Sequence, residues 1–177
     1  MLISVGHGRL DREGLTELLL AADIEALVDI RRYPGSRRDP SLNSDELAAW
    51  MPRAGIAYRT DERLGGRRRL PADAPREDPW WQVEQFAAYA AHTRTSEFGA
   101  ALTELLEQSK RVSTAMMCSE SVWWRCHRRL VADVAVLQHG ESVEHLMHDG
   151  RRSLHTPSAG ARLRADGAVV WDVVGND

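Results

Sequence analysis

Short apolar runs alternate with helix-like segments along this chain, and this alternation constrains the fold more than any other feature. Each run is bounded and of strand length, and the segments between them carry the apolar spacing of helices that face a core. The predicted strands are residues 2–5, 26–31, 56–59, 112–117 and 142–147. Such alternation predicts an α/β fold of three layers, with helices on both faces of a mostly parallel sheet.

Capping residues mark where the predicted helices begin and end. Asp11 and Thr95 suit N-caps, and Asn43 with Glu46 has the spacing of a capping box. Gly140 favours a helix end just before it. The predicted helices are one that follows Asp11, one through residues 47–51, and three at about 82–94, 96–109 and 130–137.

Length and turn signals predict one α/β domain over residues 1–177, which is long enough for a real core. The turn signal Asp166-Gly167 lies between two short apolar stretches and predicts a small C-terminal β-hairpin at about 161–173. Prolines and charged residues predict an irregular excursion at about 61–81.

Composition narrows the class of protein. Hydrophobic residues make up 43% of the chain, which is normal for a globular protein, and no apolar run is long enough to span a bilayer. The N-terminus lacks the pattern of a signal peptide, so we expect a cytoplasmic protein without a membrane partner. In that compartment two cysteines are expected to be free, metal-bound or catalytic rather than a structural disulfide.

Arginine clustering points to anionic ligands. The net charge is −3, so no global basic field is available to hold nucleic acid. Of the 23 Lys and Arg residues only Lys110 is lysine, a bias that a GC-rich genome explains. Codon bias does not explain why the arginines lie close together in the sequence. Guanidinium groups bind phosphate and carboxylate well, so the clusters predict anionic ligands. The clusters are Arg31, Arg32, Arg37 and Arg38; Arg59, Arg63, Arg67, Arg68 and Arg69; and Arg125, Arg128 and Arg129.

The segment 117–129 concentrates the reactive side chains. It holds both cysteines, Cys118 and Cys126, together with a carboxylate, a histidine, three arginines and two tryptophans. A predicted strand precedes it and a predicted helix follows it. Strand-to-helix turns at the carboxyl ends of parallel strands are where ligands bind in open α/β sheets.

Reactive residues follow four of the predicted strands, at the point where each strand ends. If the strands are parallel, all four groups meet at one edge of the sheet, which predicts a functional cleft there. The groups are His7 and Arg9; Asp29, Arg31 and Arg37; Gly65 and Gly66 with Arg67, Arg68 and Arg69; and Cys118 and Glu120.

This ordered set of motifs resembles the domain of unknown function 488 family over nearly the whole chain. The resemblance implies a compact α/β domain, and it implies an enzyme without fixing its reaction. Two departures are Gly8, where serine is common, and Ser119, where alanine is common. The matching blocks are residues 5–8, 28–31 with Pro34, Ser36 and Arg37, 55–58, 64–66, 118–120 and 126–128, followed by His145 and the hairpin.

Cys118 is a candidate nucleophile. A helix N-terminus and the neighbouring Arg125, His127 and Arg128 would lower its pKa. The spacing of the phosphatase loop is not met, because Trp124 stands six positions after the cysteine. The alternative is a small buried side chain at a strand end.

Cys118, Cys126 and His127 also offer thiolate and imidazole ligands for zinc or iron. The cysteine spacing is not that of a standard zinc pair, and side chains of adjacent residues on a helix point apart. We therefore predict no cofactor and no metal, and keep these three residues as the alternative.

Proton transfer is assigned to Glu120 and Asp29, with His7 orienting or donating to the substrate. The alternative for each carboxylate is a structural ion pair with a nearby arginine. Tryptophans 80, 81, 123 and 124 suit either base stacking or packing. The predicted anion-binding residues are Arg31, Ser36, Arg37, Tyr58, Gly65, Gly66, Arg125, His127 and Arg128.

The sequence thus predicts a hydrolase or transferase that acts on a phosphate-bearing substrate, a nucleotide or nucleic acid. One alternative is a non-catalytic module that binds the same ligands. Another is a metal or redox sensor that uses Cys118 and Cys126. The oligomeric state is left open.

Overall fold

The computed structural model describes residues 1–36 and 39–173. Its main element is a sheet of six strands, covered on both faces by helices. The strands are β1 (Leu2–Gly6), β2 (Ala26–Asp29), β3 (Ala57–Thr60), β4 (Thr114–Cys118), β5 (Val143–Leu146) and β6 (Arg152–Leu154). The α-helices of the described part are α1 (Arg12–Ala21), α2 (Ser44–Trp50), α3 (Glu84–His92), α4 (Ser96–Ser109) and α5 (Arg128–His139).

The sheet is mostly parallel, as the sequence predicts. Strands β1 to β5 run parallel to their neighbours, and β6 lies antiparallel at one edge beside β5. Gly6 is in register with Cys118, and Asp29 is in register with Met117. The strand ends that carry the reactive residues therefore lie side by side.

The strand order, β3-β2-β4-β1-β5-β6, places β4 between β1 and β2. The connection after β2, the other neighbour of β4, runs outward to β3, whereas the connection after β4 runs past β1 to β5. From these two neighbouring strands the chain thus leaves in opposite directions, and the divergence opens a crevice at their carboxyl ends.

Alternate strand residues supply two separate cores. Val5, Leu27 and Met117 pack with α1 and α2 on one face. Val28 and Met116 pack with α3, α4 and α5 on the other. Helices on both faces explain why the central strands β1, β2 and β4 are buried along their whole length, and they confirm the predicted three-layer α/β fold.

A two-stranded antiparallel sheet, β7 (Ala161–Leu163) and β8 (Val169–Trp171), forms the predicted hairpin. Gly167 in its turn has a φ of +85°, which explains the glycine there. The hairpin packs on α5 through Trp171, which is completely buried. Within the predicted excursion, one short 3₁₀ turn covers Glu62–Leu64.

The caps agree with the sequence at Asp11 and Thr95, whose side chains accept from Gly14 N and Phe98 N. The capping box at Asn43 does not form: the Asn43 side chain instead accepts from Ser36 N at 2.5 Å. Strand β6 is absent from the prediction because its three residues are all exposed and have no apolar pattern.

Among the described residues, no helix is both long and apolar enough to cross a membrane.

Candidate functional site

A cleft of about 550 Å³ lies at the carboxyl end of β4. It occupies the crevice that the diverging connections create. About half of the residues in its wall are predicted ones, which the loops after β2, β3 and β4 bring together, whereas the loop after β1 does not reach it. The predicted residues that line it are Arg31, Ser36, Gly66, Cys118, Glu120, Arg125 and His127, with Cys126 beside them.

Asp29 and Arg31 form a buried ion pair at the end of β2. The Arg31 Nη2 lies 2.6 Å from Asp29 Oδ2, and Tyr58 donates its hydroxyl to the same oxygen at 2.8 Å. Asp29 is fully buried and does not line the cleft. This placement corrects the prediction for both: Asp29, supported by Tyr58, holds Arg31 in position, and neither residue lines the cleft.

The imidazole of His7 lies behind Arg31, 3.4 Å from its Nη1, and is 5% exposed. Burial and the charge of Arg31 lower the pKa of His7 to about 4, so the ring is neutral at pH 7. Its Nδ1 has no hydrogen-bond partner among the described residues. Because His7 lies outside the cleft, it is placed to support Arg31 rather than to contact a substrate directly.

Arg128 is buried rather than available to an anion. It is 1% exposed and donates to Ser4 Oγ, to Cys126 Sγ and to the Glu120 carbonyl oxygen. These bonds connect β1 to both ends of the segment that follows β4. Arg128 therefore shapes the cleft from behind, and its predicted role in anion binding is replaced by one in loop positioning.

Glu120 and Arg125 are both exposed on the cleft wall. Glu120 is the only acidic residue among the described residues that line the cleft. Neither side chain forms an ion pair with a described residue. A free carboxylate therefore faces a wall whose other charges are guanidinium groups.

Cys118, Cys126 and His127 converge on the cleft floor. The His127 Nδ1 lies 3.8 Å from Cys118 Sγ and 3.6 Å from Cys126 Sγ. Cys126 and His127 precede α5, so the helical geometry that separates adjacent side chains does not apply to them. The expectation that they point apart is wrong.

The two thiols titrate differently. The interaction with Cys126 and then burial raise the pKa of Cys118. Burial would raise the pKa of Cys126 as well, but the interaction with Cys118 and the charge of Arg128 lower it below the ordinary value. The prediction of a lowered pKa at Cys118 is therefore wrong, because Arg128 lies beside the other sulfur and no helix begins directly after β4.

Gly65 and Gly66 allow close approach between loops. A Cβ at Gly65 would lie 2.7 Å from the backbone of Arg32, and one at Gly66 would lie 2.8 Å from His127 Nδ1. The next residue, Arg67, lines the cleft with a φ of +57°. A left-handed backbone at a non-glycine residue is a strain that functional sites tolerate.

One comparison with known proteins bears on identity. The family model for Domain of unknown function DUF488 matches residues 11–135. The chain belongs to the DUF488 family. The match contains the segment 118–128, whereas residues 5–8 and the hairpin lie outside it. No curated protein and no solved structure matches the chain.

Several residues of this DUF488 cleft escaped the sequence analysis. Gln85, Phe86 and Tyr89 share one face of α3, but their spacing gives no sign of which loop they meet. The Tyr89 hydroxyl donates to Leu64 O at 2.5 Å, and its ring packs on His127. The missed residues are Tyr33, Gly35, Asn43, Gln85, Phe86, Tyr89 and Ser119, whereas Arg32 and Arg67 belong to the arginine clusters predicted to meet anions. The predicted Arg37 lies outside the described residues.

A second buried polar cluster lies between α5, β5 and the hairpin. Asp133 accepts from His155 Nε2 at 2.8 Å, from Ser158 and from Trp171 Nε1. His155 Nδ1 in turn lies 2.9 Å from His145 Nε2. Trp123 stacks on His145 at a centroid distance of 3.9 Å. The cluster thus connects the hairpin to the segment that carries the two cysteines.

Proposed function

We propose that this DUF488 protein is an enzyme that hydrolyses or transfers a phosphate-bearing group of a nucleotide or nucleic acid in the cleft at the end of β4. The proposal rests on the free carboxylate of Glu120 in a cleft that is also lined by unpaired arginines. Arg32, Arg67 and Arg125 line the cleft without an ion pair to any described carboxylate. Guanidinium groups in that state suit phosphate oxygens.

The aromatic residues of the cleft favour a ligand that carries a base. Tyr33, which is 61% exposed, and Phe86 both line it, so each offers a ring face or edge for stacking. The volume of about 550 Å³ lies within the range of small-molecule sites. Its size favours a single nucleotide unit over a long duplex.

Glu120 supplies the general base of the proposed reaction. Its carboxylate would take the proton of the attacking water or hydroxyl, while the arginines stabilise charge on the phosphoryl oxygens. Arg31, held by Asp29, completes the positive wall. The cytoplasmic location that the composition predicts belongs to the same proposal.

The test is turnover of nucleoside mono-, di- and triphosphates and a short single-stranded oligonucleotide by the full chain, with products separated by chromatography. Glu120→Gln should lower kcat by about 10²- to 10⁴-fold while ligand affinity stays within a few-fold. Arg67→Gln and Arg125→Gln should weaken binding. Arg111→Gln, which changes an exposed arginine at the opposite edge of the sheet, should change neither.

Two results would overturn this assignment. If the wild type binds these ligands but does not turn them over, the protein is a non-catalytic binding module. If kcat is unchanged in Glu120→Gln, Glu120 is not the general base. Affinity for an oligonucleotide that falls steeply with salt would favour nucleic acid as the ligand class.

A further inference from the structure

We propose that Cys118, Cys126 and His127 form a zinc site on the cleft floor. The two Sγ atoms and Nδ1 all lie within 4.8 Å of one another. Around tetrahedral zinc, bonds of about 2.3 Å to sulfur and about 2.0 Å to nitrogen place such ligand atoms about 3.5–3.8 Å apart. The sulfur-to-nitrogen distances of 3.6 and 3.8 Å agree with that geometry.

The imidazole of His127 is oriented as a ligand. Its Nε2 lies 3.3 Å from the Ile30 carbonyl oxygen, which can only accept a hydrogen bond. The proton is therefore on Nε2, and the lone pair of Nδ1 is directed at the sulfur atoms. A backbone carbonyl behind the second ring nitrogen is the usual partner of a metal-binding histidine.

Arg128 supports the sulfur of Cys126. Its Nε donates to Cys126 Sγ at 3.4 Å, and its other nitrogens are fixed by Ser4 Oγ and the Glu120 carbonyl oxygen. A fixed guanidinium beside sulfur stabilises the thiolate that zinc requires.

The fourth position of the zinc would face the cleft. Cys118 and Cys126 are 7% and 4% exposed, and with His127 they line the cleft floor. Within the described ranges, no fourth histidine, cysteine or carboxylate joins the group. Three protein ligands and one open position are typical of catalytic zinc rather than structural zinc.

A water bound at that position would supply the nucleophile for the proposed function. This catalytic step rests on the proposed function. Zinc lowers the pKa of bound water, so Glu120 would take its proton and leave a hydroxide. The hydroxide oxygen would form a bond to phosphorus as the bond to the leaving oxygen breaks, and Glu120 would return the proton to that oxygen. Zinc binding itself requires no substrate and stands apart from this step.

The test is metal analysis of the full chain, purified under reducing conditions and titrated with zinc. We expect about one zinc per chain, retained on gel filtration, and two thiols that become reactive only after a chelator removes the metal. X-ray absorption should show two sulfur neighbours at about 2.3 Å and nitrogen or oxygen neighbours at about 2.0 Å. Two free thiols in the presence of zinc would overturn the proposal.

Variants separate the ligands from the fold. Cys126→Ser and His127→Gln should lose stoichiometric zinc, and His139→Gln, which alters a histidine at the far end of α5, should retain it. Thiols that are masked without metal, with a mass lower by two hydrogens, would mean a disulfide and would overturn the zinc site. A zinc-loaded protein that turns over no nucleotide would instead contradict only the proposed function.

Discussion

The Arg31 guanidinium and the Asp29 carboxylate form a bidentate ion pair, with Nε 2.8 Å from Oδ1 and Nη2 2.6 Å from Oδ2. Both side chains are buried, at 5% and 0% exposure. Asp29 Oδ1 also accepts from the Arg31 backbone N–H at 3.1 Å. The pair therefore fixes the turn after β2 and with it one wall of the cleft.

Asp29→Asn should lower the free energy of unfolding by about 3–5 kcal/mol, because it leaves the Arg31 charge buried and unpaired. Asp172→Asn is the matched control. It breaks the exposed pair with Arg162 and should cost less than about 1 kcal/mol. Urea unfolding of both variants provides the comparison, and equal losses would contradict the account.

The fold follows from the sequence where packing decides it. Strands β1, β2 and β4 are completely buried and β5 nearly so, and the regular alternation with helices places the partly exposed edge strand β3 as well. Strand β6 could not be predicted from the sequence, since Arg152, Ser153 and Leu154 are exposed and pair only at the sheet edge. Asn43 failed as a capping-box residue because its side chain binds Ser36 instead.

Trp171→Phe should lower the free energy of unfolding by about 1–3 kcal/mol. The ring keeps its buried position, but Asp133 Oδ2 loses the indole N–H that donates to it at 2.8 Å. Thermal unfolding measures the loss. Trp124→Phe, which changes a tryptophan that is 47% exposed, should leave the transition nearly unchanged. Equal stability of Trp171→Phe and the wild type would show that the hairpin is not held by this bond.

His145 should make the protein less stable in acid. Burial, with the charges of His155 and Arg128, lowers its pKa from 6.5 to about 3. Between those values the unfolded chain binds a proton that the folded chain does not. The free energy of unfolding therefore falls as pH drops from about 6.5 towards 3, by up to about 1.4 kcal/mol per pH unit for this one group.

His145→Gln isolates this contribution. Glutamine keeps a polar partner for His155 Nδ1 but does not titrate. Urea unfolding at a series of pH values should show a shallower decline below pH 6.5 for the variant than for the wild type. The same slope in both proteins would rule out His145 as a source of the acid sensitivity.

Gly66→Ala should disturb the cleft floor. Its Cβ would lie 2.8 Å from His127 Nδ1, so the imidazole must move, and both zinc retention and ligand binding should fall. Gly99→Ala is the control, since its Cβ meets nothing within 4 Å and it lies in α4. Alanine there should stabilise the helix by up to about 1 kcal/mol. Metal analysis and ligand titration of the two variants make the comparison.

The sequence predicts which residues lie near the site better than it predicts what each of them does. Parallel strands bring Arg31, Gly66 and Cys118 to one edge, which the sequence pattern is sufficient to indicate. The roles of Asp29 and Arg128 depend on burial and on partners far away in the chain. The approach of Cys126 to His127 depends on where α5 begins, which helix periodicity fixes only to within a few residues.

The central claim is that the cleft at the end of β4 binds a phosphate-bearing ligand. The most direct measurement is two-dimensional ¹H–¹⁵N NMR of the full chain, titrated with inorganic phosphate and with adenosine and guanosine monophosphates. The account predicts saturable shifts centred on Gly66, Arg67, Ser119 and Arg125, which Arg125→Gln weakens and Arg111→Gln does not. Shifts that are absent with all three probes, or that centre away from these residues, would contradict it.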